Sequence, residues 1–169
     1  DGEPCLWSNM PPHKLLFIAS VARALGVSHI IETGRKGGAT AFGLFKLGFA
    51  VTSVEYVPLG NVARTLRAKA SNMKLIDGDG SILVPQELTA LLARNGSARV
   101  GLIVDGPKGS HGLELIQRVL PSVVFAVLDD VRMGSELRRR IERRYTCAML
   151  DDLRWLTAAA IDEDRTYLR

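Results

Sequence analysis

Cysteine is scarce: the 169 residues contain two, Cys5 and Cys147. Two cysteines make no disulfide framework, and neither has a cysteine or histidine at metal-ligand spacing, so both are read as ordinary thiols. Long apolar runs are missing too. None reaches the ~20 residues of a membrane-spanning helix, and no signal-like segment stands near the start. A soluble, cytoplasmic protein is therefore favoured, unless a targeting segment has been removed. The chain opens on Asp1 rather than Met, as a processed or excised piece would. Polar low-complexity tracts, internal repeats and Pro/Gly-rich linkers are also lacking, which leaves one domain over residues 1–169. Aromatics make up only 6%, little sign of a dedicated slot for a flat phenol.

What is present suits one well-buried α/β domain, with 47% hydrophobic residues. Apolar side chains at helical spacing over residues 12–25 predict a helix that Gly26 stops. Strands are predicted near residues 29–32, 51–55, 74–76, 100–104 and 123–128. Helices are predicted between them, near 39–47, 62–70, 85–94 and 113–119. Such alternation implies a parallel sheet with helices on both faces. Residues 146–150 and 157–161 are read as two more strands, an antiparallel hairpin.

The net charge is +4, and part of the excess lies in Arg138-Arg139-Arg140 and Arg143-Arg144. Leu137, Ile141 and Tyr145 recur every fourth residue and mark a buried stripe, which puts the arginines on the other faces. A solvated helix surface is the plainer reading, and a landing patch for an acidic glycan or nucleic acid the sharper one. Nucleic acid is the less favoured partner.

The richest stretch is Glu32-Thr33-Gly34-Arg35-Lys36-Gly37-Gly38-Ala39-Thr40, between the first strand and its helix, with Glu55 closing the second strand. Glycines there let backbone approach a ligand and leave helix N–H groups free to bind it. An acid ~20 residues further on is where a nucleoside ribose is usually held. A dinucleotide site wants G-x-G-x-x-G, and here the would-be middle glycine is Lys36. An NAD-linked oxidoreductase is disfavoured on that ground.

In open α/β sheets the chemistry sits beyond the carboxyl ends of the strands. Acids stand at all of the first five: Glu32, Glu55, Asp77 with Asp79, Asp105, and Asp129-Asp130. So many carboxylates on one edge repel unless cations or hydrogen-bond donors sit among them. Asp105, Asp129 and Asp130 form an oxygen-rich set suited to Mg²⁺ or Mn²⁺. Lys108 follows in Asp105-Gly106-Pro107-Lys108, and beside a bound dication its ammonium would be disfavoured, making it a candidate base. The plainer alternative makes these acids helix caps and Lys108 their ion-pair partner. Trp7, Met10, His13, His111 and Trp155 are weaker candidates for shaping a pocket.

The pattern E-x-G-x-x-x-G-x-T resembles motif I of class I S-adenosylmethionine-dependent methyltransferases. Over residues 30–134 the chain looks like their metal-dependent catechol O-methyltransferase-like branch. That resemblance implies a Rossmann-like, doubly wound, mostly parallel sheet of seven strands completed by the C-terminal hairpin. It implies cofactor contacts from Glu32, Gly34, Gly38, Thr40 and Glu55. It assigns Gly78-Asp79-Gly80-Ser81, ahead of Pro85-Gln86, to the adenine side. Asp105, Asp129 and Asp130 become the metal ligands and Lys108 the base, with Asp130 standing where the family has Asn. The Asp-Pro-Pro-aromatic signature of amine methylation and the cysteine nucleophile of C5 methylation are both missing.

The resulting expectation is an O-methyltransferase using S-adenosylmethionine and Mg²⁺ or Mn²⁺ on a hydroxyl of a sugar, glycan or other small molecule. The alternatives are a cation-independent or catechol-type methyltransferase, and a non-catalytic cofactor-binding module.

Overall fold

Five consecutive apolar or small residues, Val100–Val104, form a strand buried along its whole length. A strand so apolar needs cover on both faces, and the computed structural model, which describes Leu6 and residues 10–147, provides it. In chain order the elements are α1 (Pro12–Ala24), β1 (His29–Thr33), α2 (Ala39–Lys46), β2 (Ala50–Glu55), α3 (Gly60–Lys69) and β3 (Lys74–Asp77). Then come α4 (Gly80–Arg94), β4 (Val100–Val104), α5 (Gly109–Val119), β5 (Phe125–Leu128) and α6 (Glu136–Arg144).

The strands pair in the order β3-β2-β1-β4-β5, every pair parallel. Ile18 and Ala22 of α1, Leu44 of α2 and Leu66 of α3 pack with Ile30, Val51 and Ile103 on one face. Val84 and Leu88 of α4 and Leu115 of α5 pack with Ile31, Val54 and Leu102 on the other. Each large side chain so buried contributes ~1.5–3 kcal/mol of transfer free energy.

Strand order reverses between β1 and β4, the place where a doubly wound sheet opens a crevice at its carboxyl edge. Thr33 pairs in register with both Val54 and Val104, and Glu55 with Asp77, so the strand tips end nearly level.

Among the described residues the sheet has five strands, all parallel. Thr146 and Cys147 lie in no strand, and the rest of the expected hairpin falls outside the described residues. No helix among the described residues is long and apolar enough to cross a membrane.

Two helices start earlier than the sequence predicts. α4 begins at Gly80 rather than near Pro85, because the Asp79 carboxylate accepts the Ser81 N–H at 2.8 Å and caps the helix. Pro85 is therefore inside it and cannot donate to the Ser81 carbonyl one turn back. Arg118 of α5 donates to that carbonyl at 2.9 Å instead, which satisfies the freed acceptor. α5 begins at Gly109, and β5 shortens to Phe125–Leu128. On α6 the stripe of Leu137 and Ile141 is half-buried, but Arg138 is buried with it and pairs with Glu142 at 2.8 Å. Gln117 donates to the Tyr145 hydroxyl at 2.9 Å, tying the end of α6 to α5.

Candidate functional site

β1 delivers its last residues into the crevice, and the turn beyond it is locked by backbone geometry. Gly34 has φ +83° and donates its N–H to the Val54 carbonyl at 3.0 Å. A Cβ there would lie 2.9 Å from the Asp105 carbonyl carbon, so glycine is needed for the close approach of the β4 loop. Gly38, at φ +77°, opens α2 against Val62 and Leu66. Between them Lys36 takes φ +39° with an exposed side chain and aims its N–H at Glu55 Oε2, 2.6 Å away. Val57 N–H donates to Glu55 Oε1 at 3.0 Å. Two backbone donors thus hold the Glu55 carboxylate at the tip of β2.

Glu55 lines a cleft of about 310 Å³ with Thr33, Gly34, Gly78, Asp79 and Gly80, closed on one side by Gly106 and Pro107. Of the expected cofactor residues, the fold therefore brings Gly34, Glu55, Asp79 and Gly80 to one cavity. Gly38 and Thr40 lie behind it at the start of α2, and Ser81 lies in the first turn of α4. Capping α4 also holds the Asp79 carboxyl below its ordinary pKa, through the hydrogen bond from Ser81.

Glu32 is buried beneath the cleft, and its Oε2 has no hydrogen-bond partner. Burial pushes its carboxyl up to about 8; Arg35 opposes the rise, and Asp105 and Glu55 add to it. The hydroxyls of Thr33 and Ser53 are buried without partners as well. Unpaired buried polar atoms are costly, and these three lie on the adjacent strands β1 and β2, where Glu32 and Ser53 are in register.

Arg35 escaped the sequence reading as a functional residue. Its guanidinium is buried and donates to the Ser53 carbonyl at 3.0 Å and to Asp77 Oδ1 at 2.5 Å. The available signal was a lone arginine inside a turn surrounded by strand-tip acids.

The β4–β5 side carries the second half. Ligand atoms of Asp105, Asp129 and Asp130 lie within 4.8 Å of one another, close enough to share one cation. Lys108 pairs with Asp105 and, at 2.7 Å, with Asp130. Burial works against its ammonium, but the hydrogen bonds to both acids outweigh burial and hold its pKa above the ordinary value. Asp105 is raised by burial despite Lys108, and Asp130 is lowered by the Lys108 hydrogen bond. Burial decides the one, pairing the other.

Lys108, Asp129 and Asp130 also stand at one end of a larger groove, about 1240 Å³, between α1, α5, β5 and α6. Met10 lines it. His111 is exposed and sits 3.5 Å from Glu114, away from both cavities, while Trp7 and Trp155 fall outside the described residues. Comparison of the chain with protein-family models and with curated proteins yields no match.

Proposed function

We propose that this chain is an S-adenosylmethionine-dependent O-methyltransferase acting on a hydroxyl of a sugar, glycan or other small molecule. One observation carries the reading. A carboxylate held by two backbone N–H groups, Glu55, faces a glycine turn at the switch point, with an acid–lysine cluster on the neighbouring strands. Glu55 receives the ribose hydroxyls, and Gly34 and Gly80 let the nucleoside approach backbone. The occupied middle position at Lys36 suits a cofactor without a pyrophosphate. S-adenosylmethionine supplies a methyl group on a sulfonium, and the fold's part is to position it against the acceptor oxygen.

Asp105, Asp129 and Asp130 are the residues to hold Mg²⁺ or Mn²⁺, and such an ion acidifies a bound hydroxyl. Lys108, as its free amine, would be the base that takes the proton from the acceptor hydroxyl. A second reading is favoured by the Lys108 ammonium itself, which already neutralises part of the acidic cluster. There Lys108 and the acids are a structural pair and the transferase needs no cation.

Methyl transfer from S-adenosylmethionine to a panel of sugars and catechols tests both. The first reading expects turnover of sugars that stops in EDTA, returns with Mn²⁺, and is lost in Lys108→Met. Turnover that survives excess EDTA selects the second, and turnover of catechols alone refutes the sugar acceptor. No methyl transfer to any acceptor counts against both.

A further inference from the structure

Acids crowd the carboxyl edge of the sheet, and two cations answer them in different ways. Lys108 serves the β4–β5 half from a partly exposed position. Arg35 serves the β1–β2–β3 half from inside, with a side chain only 1% exposed. It does not line the cleft, so it can reach a ligand only through other groups.

Its contacts define those groups. One guanidinium nitrogen binds the carbonyl of Ser53 on β2, and another binds the Asp77 carboxylate at the end of β3. The next residue along, Lys36, gives its N–H to Glu55, and the residue after Asp77, Gly78, gives its N–H to the Glu55 carbonyl at 2.8 Å. Arg35 therefore joins three pieces of the cleft: the glycine turn, the Glu55 wall and the Gly78–Gly80 wall. A planar guanidinium can grip two directions at once, which a lysine ammonium on a flexible stem does less rigidly.

We propose that Arg35, acting through Ser53 and Asp77, is a positioning residue that sets the spacing of the Glu55 and Gly78–Gly80 walls and hence the affinity for the nucleoside half of the cofactor. This deepens the S-adenosylmethionine reading and depends on it. The Asp77 side chain is 43% exposed, so the grip can be loosened there without opening the interior.

The test compares wild type, Asp77→Ala, Asp77→Asn and Arg35→Lys by calorimetry with S-adenosylhomocysteine, alongside steady-state methyl transfer. Asp77→Ala is expected to raise Kd at least fivefold and KM for S-adenosylmethionine in parallel. Its kcat at saturating cofactor and its KM for the acceptor should stay near wild type. Asp77→Asn keeps an oxygen acceptor and should fall between the two, while Arg35→Lys should lose affinity as Asp77→Ala does. An Asp77→Ala Kd within twofold of wild type overturns the proposal and leaves the cofactor reading standing. So does an equal loss in kcat and both KM values, which marks general destabilisation. Wild type that does not bind S-adenosylhomocysteine overturns the cofactor reading and this proposal with it.

Discussion

Gly34 meets two demands at once, a positive φ of +83° and a backbone neighbour 2.9 Å from where a Cβ would stand. Left-handed backbone alone costs a non-glycine residue ~1–2 kcal/mol, and the clash with the Asp105 carbonyl carbon has no flexible side chain to relieve it. Gly34→Ala is expected to lose more than that in urea unfolding; a variant as stable as wild type would show the turn to be freer than it looks. Glu32 gives a second check. With its carboxyl raised to about 8 in the fold, the native state binds the proton that the unfolded chain has already released above the ordinary glutamate range. Stability therefore falls as pH rises from ~4.5 to 8, by at most ~1.4 kcal/mol per pH unit. Glu32→Gln should flatten that slope and be more stable than wild type at pH 8. An unchanged slope in the variant would assign the pH dependence elsewhere.

At the scale of elements, α4 and α5 are joined by an exchange of hydrogen bonds. Pro85 deprives the Ser81 carbonyl of its helical donor, and Arg118 replaces it. Arg118→Met is expected to cost ~0.5–1.5 kcal/mol in urea unfolding. In a Pro85→Ala background, where the N–H is restored, the same change should cost little. Equal costs in both backgrounds would mean that the carbonyl is not what Arg118 serves. This helix also shows where sequence reading stops. Proline normally marks the first turn of a helix, so Pro85 points to a start that lies five residues too late. The strands were plainer: Val100–Val104 is apolar at nearly every position because it is covered on both faces. Glu55 and Asp105 could be picked out because strand tips are legible. Arg35 could not, because its partners lie 18 and 42 residues away and only the closed sheet brings them together. Pairing of Lys108 with these acids was legible as the plainer alternative, but not that it bridges Asp105 and Asp130 across two loops. On α6, helical spacing revealed Leu137 and Ile141 but not that Arg138 is buried beside them with Glu142 as its partner.

Across the described residues, the parallel sheet gathers acids from all five strands to one edge, where an interior arginine pairs with Asp77 and a partly exposed lysine with Asp105 and Asp130. The first half forms a cleft around Glu55, and the second a set of carboxylates within reach of one cation. We propose that this cleft holds S-adenosylmethionine, and calorimetry with S-adenosylhomocysteine and NAD is the decisive measurement. Saturable binding of S-adenosylhomocysteine by wild type and none of NAD is the predicted result. Glu55→Ala should bind about ten- to a hundredfold more weakly, the ~1.5–3 kcal/mol of a charged hydrogen-bond acceptor. Binding of NAD instead, or S-adenosylhomocysteine held equally well by Glu55→Ala, would contradict it.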